Sequence, residues 1–271
     1  MVVTTSGLDR TFATALPRGH VHLVGAGPGD PELLTLRAHR LVTTARVVAY
    51  DELVGPAILA LVPADAERIA VGRRKGTCPA APSIHPAVLE RALAGHDVVR
   101  LKGGDPMIFG RGGEEAAELA ALRIPFSIVP GVSAALGAAA STGIPLTHRD
   151  ASASVTFATA HLRHSAPDPE ALPKELPRTG TLVLYMGIAN LAAVAAQLVA
   201  DGRPARTPAA VISHATLPTE QVVVADLSSI AERAGSLPTP ALVVIGDVVD
   251  RRVVPSEIRE RALHAARTHM R

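Results

Sequence analysis

The sequence predicts an α/β protein of two domains, with a mostly parallel sheet in the first and a mixed sheet in the second. From His20 onward, short apolar runs alternate with alanine-rich segments of helical pattern, and this alternation is typical of a parallel sheet covered by helices. After Asp150 the pattern changes, because two strand-like runs flank residues 217–219 with no helix between them, which predicts an antiparallel pairing. We expect the active site in the cleft between the two domains.

The predicted elements of the first domain follow in a regular order. Each strand segment is a short apolar run, and each helical segment has helical spacing of its apolar or small residues. We expect strands at residues 21–24, 46–50, 67–71, 97–101 and 126–129, and helices at 31–44, 56–62, 87–94, after 113 and from 133.

The second domain contains a proline-rich interval at residues 166–180, which predicts a loop or linker. We expect its strands at 154–159, 181–185, 209–213, 221–225 and 241–245, and its helices at 191–200 and 226–234. The predicted boundaries are a flexible extension at 1–19, domains at 20–135 and 136–250, and a basic tail at 251–271.

Composition disfavours several classes of protein. The net charge of +2 and an aromatic content of 2% disfavour nucleic-acid binding. No apolar run is long enough to span a membrane and the first residues lack a signal-peptide core, so we expect a cytoplasmic protein without a membrane partner. The single cysteine, Cys78, excludes an intrachain disulfide, and His161 and His164 lack further ligands at metal spacing, so we expect no metal.

The stretch from Val98 to Ala116 is the strongest functional signal. An apolar strand ends at Gly103-Gly104-Asp105-Pro106, and a second glycine-rich turn leads through Glu114 into a helix. Glycine lets the backbone approach a ligand closely and adopts positive φ at little cost. The pattern therefore predicts a ligand-binding loop.

A second glycine-rich loop, Gly25–Asp30, follows the first strand, and Asp51 ends the next one. This is nearly the fingerprint of a dinucleotide site, so a nicotinamide-dependent oxidoreductase is one hypothesis. Asp30 stands where a third glycine would allow close packing, however, and Asp30-Pro31-Glu32 predicts a helix N-cap instead. The basic cluster Arg73-Arg74-Lys75 is predicted at the same sheet edge, where it would favour an anionic ligand.

Together with further short motifs in the same order, these residues resemble the tetrapyrrole methylase family. The motifs are Val24–Asp30, Tyr50–Asp51, Val98–Glu115, Val129–Ala134, Gly143–Arg149, Tyr185–Gly187 and Pro240–Gly246. The resemblance implies a homodimer that uses S-adenosylmethionine, with S-adenosylhomocysteine as product, to methylate two ring carbons of uroporphyrinogen III. The tetrapyrrole product, precorrin-2, feeds sirohaem, cobalamin or haem d1 synthesis.

The resemblance also implies roles for particular residues. The methyl donor would contact Pro28, Gly103, Gly104, Asp105, Ile108, Ser133, Ala134, Met186 and Ala215, with Asp105 on the ribose hydroxyls. The catalytic residues would be Asp51, Arg111 and Arg73, and the substrate would contact Arg149, Glu114 and His161.

The chain departs from the family pattern mainly on the substrate side. Arg73 stands where the family has a lysine proposed to donate a proton, and an arginine is better suited to hold an anion. Glu52 replaces an arginine, the loop Cys78–Pro86 differs in sequence, and Ala160 replaces a glycine. A methyltransferase of a later precorrin and a non-catalytic tetrapyrrole-binding protein therefore stay as alternatives.

Overall fold

A computed structural model describes residues 18–72, 83–160, 176–254 and 256. The first half of the chain forms an all-parallel sheet in the strand order β3-β2-β4-β1-β5. Its strands are β1 (Val21–Gly25), β2 (Val47–Tyr50), β3 (Glu67–Ala70), β4 (Val98–Lys102) and β5 (Phe126–Val129).

Helices cover both faces of this sheet, as the apolar strands require. They are α1 (Leu36–Thr44), α2 (Pro56–Leu59), α3 (Pro86–Leu93) and α4 (Gly112–Ala121). On one face, α3 and α4 pack on alternate strand residues such as Leu23 and Val98. On the other, α1 and α2 pack on Val24 and Leu101. All of the strand ends that carry predicted site residues therefore meet at one edge of the sheet.

The second half forms a mixed sheet in the order β6-β7-β10-β8-β9. Its strands are β6 (Val155–Thr159), β7 (Thr181–Tyr185), β8 (Pro208–Ser213), β9 (Gln221–Asp226) and β10 (Ala241–Ile245). The pairing of β6 with β7 is parallel, and the other three pairings are antiparallel. Helices α6 (Leu191–Ala200) and α7 (Ile230–Ala234) cover one face, and α5 (Ala134–Thr142) covers the other.

The predicted fold class is confirmed, and the first sheet is fully parallel rather than mostly so. Two predicted helices differ in detail. The helix expected at 31–44 is interrupted, because Pro31–Leu33 form a separate 3₁₀ turn and Thr35 caps α1 by accepting from the Ala38 N–H at 3.2 Å. The helix expected at 226–234 starts only at Ile230, since Asp226 is still paired in β9.

Some sequence predictions lie outside the described residues. These are the extension at 1–17, most of the loop at 166–180 and nearly all of the tail beyond 254. The domain boundary near residue 135 stays a prediction, although Ala135 and Ala138 of α5 pack against the second sheet. No helix within the described residues is long and apolar enough to cross a membrane.

Candidate active site

The loop after β4 is joined to the loop after β1 by backbone hydrogen bonds. The Gly104 N–H donates to the Gly27 carbonyl at 2.7 Å, and the Gly27 N–H donates to the Gly104 carbonyl at 3.1 Å. Both glycines have positive φ, +72° at Gly27 and +68° at Gly104, which a residue with a side chain adopts only under strain. The two glycine-rich loops found in the sequence therefore form one structure at the carboxyl edge of the first sheet.

Asp105 holds this structure to the loop after β5. Its Oδ1 accepts from the Met107 N–H at 2.8 Å, and its Oδ2 accepts from the Gly131 N–H at 3.0 Å. Each carboxylate oxygen has a further lone pair for a ligand hydroxyl. Asp105 therefore orders the loop, and this is compatible with the ribose contact predicted for it.

Close backbone packing shapes the floor of the site. A Cβ added to Gly131 would lie 2.3 Å from the Gly104 carbonyl oxygen, and one added to Gly25 would lie 2.5 Å from the Gly131 nitrogen. In contrast, a Cβ on Gly104 would meet only the Ala134 nitrogen, at 3.7 Å. The space in front of Gly104 is thus open and bordered by main-chain groups, which suits a nucleoside held by backbone contacts.

Tyr185, at the end of β7, connects the second sheet to the start of α5. Its hydroxyl lies 2.6 Å from the Ser133 hydroxyl and accepts from the Ala135 N–H at 3.2 Å. The Tyr185 ring also contacts the Phe109 ring, with centroids 4.7 Å apart. Phe109 and Met186 both have positive φ, +52° and +54°, and are 41% and 52% exposed. Apolar side chains from both domains therefore border the same opening.

The loop after β8 closes the other end of the site. The Asp30 N–H donates to the Thr216 hydroxyl at 3.3 Å. A Cβ on Gly137 would lie 2.6 Å from Pro28 Cγ, so the Pro28 ring packs on α5. Ala215 adjoins Thr216 in the same loop and is half-buried in the second core. The residues predicted for the methyl donor thus belong to adjoining loops of one cleft.

Asp30 itself is the cap that the sequence predicted. Its Oδ1 accepts from the Glu32 N–H at 2.9 Å, and Pro31 occupies the first position of the 3₁₀ turn. The carboxylate is thereby engaged by the backbone of its own turn, and Pro28 removes one amide that a phosphate would use. This geometry does not favour a dinucleotide.

A buried network of charged groups stands behind Asp51. Asp51 Oδ1 accepts from the Leu53 and Gly103 N–H groups at 3.2 and 3.4 Å. Its Oδ2 lies 3.8 Å from an Arg100 guanidinium nitrogen. Glu115 accepts from Lys102 Nζ at 2.9 Å and from Arg100 at 3.3 Å through the same oxygen. Burial lowers the pKa of Lys102, and Arg100 lowers it further, while Glu115 and Asp51 raise it.

Arg111, predicted as catalytic, and Glu114 and Arg149, predicted to contact the substrate, are all exposed. Arg111 precedes α4 as its N-cap with φ +58° and is 41% exposed, and its guanidinium lies 3.4 Å from both Glu114 and the Ser83 hydroxyl. Glu114 is 55% exposed. Arg149 is also exposed, in the turn between α5 and β6.

The sequence reasoning missed Arg100, Lys102, Glu115 and Tyr185 as members of the site. Arg100 and Lys102 alternate in an otherwise apolar central strand, and that pattern is the signal that could have found them. Arg73 and His161 lie outside the described residues, so their roles stay predictions. Within the described residues, no group of three or more His, Cys, Asp or Glu side chains could hold a metal ion.

The chain combines a parallel sheet and a mixed sheet, each covered by helices, with a cleft of glycine-rich loops between them. This arrangement defines the class of protein to which the chain belongs. A sequence model of the tetrapyrrole (corrin/porphyrin) methylases matches residues 20–231. The chain therefore belongs to the tetrapyrrole methylase family.

Two siroheme synthases are similar in sequence to this chain over most of its length. Siroheme synthase 1 of Halorhodospira halophila is 50% identical over 246 residues, which is 89% of this chain and 50% of that protein. Siroheme synthase of Hahella chejuensis is 50% identical over 240 residues, or 86% of this chain and 50% of that protein. The chain thus spans about half the length of these curated relatives.

Solved structures agree with this placement. The uroporphyrin-III C-methyl transferase of Thermus thermophilus, complexed with S-adenyl homocysteine, has a TM-score of 0.74 and 41% identity, covering 86% of this chain and 99% of its own. A cobalt precorrin-4 methyltransferase has a TM-score of 0.73 and 26% identity, covering 87% and 99%.

Proposed function

We propose that this chain is an S-adenosylmethionine-dependent C-methyltransferase that methylates two ring carbons of uroporphyrinogen III and so makes precorrin-2. The observation that carries the proposal is the junction at Gly103. There the loop predicted to bind the methyl donor meets the Asp51 carboxylate, whose Oδ1 lies 3.4 Å from the Gly103 nitrogen. A base beside a methyl donor is what carbon methylation of a pyrrole requires.

The donor lies in the cleft formed by the loops after β1, β4 and β5. Asp105 holds the ribose hydroxyls through its remaining lone pairs, and the small residues Ser133 and Ala134 let backbone groups approach the adenine. Ile108 and Met186 are 36% and 52% exposed and border the donor. Pro28 and Ala215 complete the opposite side.

When bound, S-adenosylmethionine supplies an electrophilic methyl group, which passes to a ring carbon as the carbon–sulfur bond breaks and its electron pair stays on sulfur. Asp51 accepts the proton of the pyrrole N–H, which directs electron density toward the attacking carbon. Its Oδ2 is the oxygen for this role, because Oδ1 already accepts from two backbone N–H groups. Much of the remaining rate enhancement comes from aligning the methyl group with the carbon.

Arginines on the outer side of the cleft recognise the carboxylates of the substrate. Arg111 and Arg149 are both exposed, and the planar fork of arginine binds a carboxylate through two hydrogen bonds. Arg73 acts in the same way rather than as a proton donor, since arginine keeps its proton near neutral pH. Glu114 and His161 contribute polar contacts to the same substrate.

The test is an anaerobic incubation of the protein with uroporphyrinogen III and S-adenosylmethionine, with the product analysed by mass spectrometry. The proposal predicts a product that carries two added methyl groups. A substrate that is recovered unchanged, from a protein that binds S-adenosylhomocysteine in calorimetry, would reject uroporphyrinogen III as the acceptor.

A methyltransferase of a later precorrin is the second candidate. The similarity to a cobalt precorrin-4 methyltransferase, at 26% identity, supports it, as does Glu52 in place of the family's arginine. The Glu52 carboxylate lies close to Gly72, because a Cβ added there would be 2.8 Å from Glu52 Oε1. Turnover of later precorrins in place of uroporphyrinogen III would favour this candidate.

Two further alternatives are less well supported. In the oxidoreductase hypothesis the loop Gly25–Asp30 would hold a pyrophosphate, but Asp30 caps its own turn and Pro28 removes one backbone donor. A non-catalytic tetrapyrrole-binding protein would bind uroporphyrinogen III and show no methyl transfer in the same incubation.

We also propose that the chain forms a homodimer, as the family resemblance implies. Large apolar side chains that stay exposed in the single chain support this proposal, among them Leu36 at 91% and Leu136 at 53% exposure. Analytical ultracentrifugation at micromolar concentration would test it, and a sedimentation coefficient of a single chain would contradict it.

A further inference from the structure

Glu115 is a buried carboxylate to which the sequence motifs assign no role. Its side chain lies on α4 and is 5% exposed. One oxygen, Oε1, accepts hydrogen bonds from Lys102 Nζ at 2.9 Å and from the Arg100 guanidinium at 3.3 Å. The other oxygen, Oε2, is buried without a hydrogen-bond partner in the described residues. A carboxylate is costly to bury, and the pairing with two cations offsets part of that cost.

Arg100 lies between the two carboxylates. One terminal nitrogen donates to Glu115, and the other donates to the Leu101 carbonyl at 3.0 Å and lies 3.8 Å from Asp51 Oδ2. Arg100 is 8% exposed and Asp51 is 24% exposed, so Asp51 is the end of the network that faces the cleft. The distance of 3.8 Å is too long for a hydrogen bond, yet short enough for electrostatic attraction.

We propose that Glu115 is a positioning residue that holds the Arg100 guanidinium away from close contact with Asp51. The inference rests on the proposed function, in which Asp51 Oδ2 takes the pyrrole proton. Because Glu115 and the Leu101 carbonyl hold the guanidinium, Asp51 stays aligned but is not engaged in a two-pronged ion pair. Its Oδ2 then stays available to accept the pyrrole proton.

Loss of the Glu115 charge would change the position of Arg100 relative to Asp51. Arg100 and Lys102 would face Asp51 without their second counter-ion, and Arg100 would move into close contact with it. A close ion pair with the guanidinium would occupy Asp51 Oδ2, so that oxygen would no longer be free to accept the pyrrole proton and the methylation rate would fall.

Glu115→Gln is the direct test, with kcat and KM for S-adenosylmethionine measured on uroporphyrinogen III. We expect kcat to fall by about tenfold or more, with KM for the donor unchanged within about twofold. Glu115→Asp keeps the charge and should recover part of the lost kcat. Glu67→Gln, which removes a carboxylate that pairs with Arg91 on the surface at 2.8 Å, is the control that should leave both unchanged.

A double variant separates positioning from simple charge balance. Glu115→Gln combined with Lys102→Met removes the excess buried positive charge but not the freedom of Arg100. The proposal predicts that the double variant keeps the low kcat. A return of kcat to the wild-type value would overturn the positioning role, as would a Glu115→Gln enzyme with unchanged kcat. If the wild-type protein itself adds no methyl group, the proposed function has failed and this inference falls with it.

Discussion

The hydroxyl groups of Ser133 and Tyr185 lie 2.6 Å apart and join the start of α5 to the second sheet at the candidate donor site. Ser133 is 5% exposed at the start of α5, and Tyr185 ends β7 of the second sheet. The same phenolic oxygen accepts from the Ala135 N–H at 3.2 Å. A donor that binds against Ser133 and Ala134 therefore lies next to the hydrogen bonds that hold the start of α5 to the second sheet.

Tyr185→Phe would remove these hydrogen bonds and keep the ring against Phe109. The Ser133 hydroxyl and the Ala135 N–H would both lose a partner at a partly buried site, so we expect the free energy of unfolding to fall by about 1–3 kcal/mol. Affinity for S-adenosylhomocysteine should fall as well. Denaturant unfolding and calorimetry measure the two effects.

The other tyrosine of the chain provides a matched control. Tyr50 ends β2, and its hydroxyl makes no hydrogen bond with another described residue. Tyr50→Phe should leave unfolding and donor affinity close to wild type. Equal effects of the two substitutions would remove the special role that we give to Tyr185.

Asp105→Ala tests the donor loop. The substitution removes acceptors for the Met107 and Gly131 N–H groups and the predicted ribose contact. Hydrogen bonds to a charged group contribute about 1.5–3 kcal/mol each, so we expect binding of S-adenosylhomocysteine to weaken by about a hundredfold or to be lost in calorimetry. Unchanged affinity would show that the donor binds elsewhere.

Asp97→Ala separates donor binding from general loss of stability. Asp97 accepts from the His20 N–H at 2.7 Å just before β4, at the opposite edge of the sheet. This variant should be destabilised yet bind S-adenosylhomocysteine with wild-type affinity.

The sequence predicted the fold well because its strands are apolar and buried on both faces. Val98, Val99 and Leu101 form such a run, and the structure has β4 at that place. The predicted start of α7 at Asp226 was wrong, because Asp226 pairs with Pro208 in β8. This long-range contact cannot be recognised from the local sequence pattern. For the same reason, the network around Glu115 could not be predicted. It depends on how α4 packs on β4, and the sequence does not distinguish Glu115 from the exposed Glu114.

Arg203 holds the second domain together from within. Its guanidinium is 3% exposed and donates to the carbonyls of Gly180, Arg178 and Ile245 at 2.8, 3.2 and 3.3 Å. Burial lowers the pKa of Arg203, and Asp247 raises it. Arg203→Ala should lower the free energy of unfolding by about 3 kcal/mol, because it removes the donor from three carbonyls at buried or partly buried hydrogen bonds.

The exposed Arg206 gives the comparison for this change. Arg206→Ala should shift the free energy of unfolding by no more than about 0.5 kcal/mol. If thermal and denaturant unfolding place the two alanine variants at the same stability, the carbonyl contacts of Arg203 do not stabilise the domain as we describe.

His22 gives the stability a dependence on pH. Burial lowers its pKa, His20 and Arg37 lower it further, and Asp97 raises it. The folded chain therefore binds this proton less readily than the unfolded chain, so the free energy of unfolding falls as the pH drops from the ordinary value near 6.5 through the lowered pKa. His22→Gln should reduce this acid loss in denaturant titrations, whereas His39→Gln, on the exposed side of α1, should not. An equal pH dependence in all three proteins would contradict this account.

The central claim is carbon methylation of uroporphyrinogen III, and the fate of a carbon-13 methyl group tests it most directly. The protein would be incubated anaerobically with uroporphyrinogen III and S-adenosylmethionine labelled at the methyl carbon, and the product examined by carbon-13 NMR. The account predicts two labelled methyl groups, each bonded to a ring carbon, from the wild type and none from Asp51→Asn. Label on a nitrogen or a carboxylate oxygen, or no transfer from a protein that binds the donor, would contradict it.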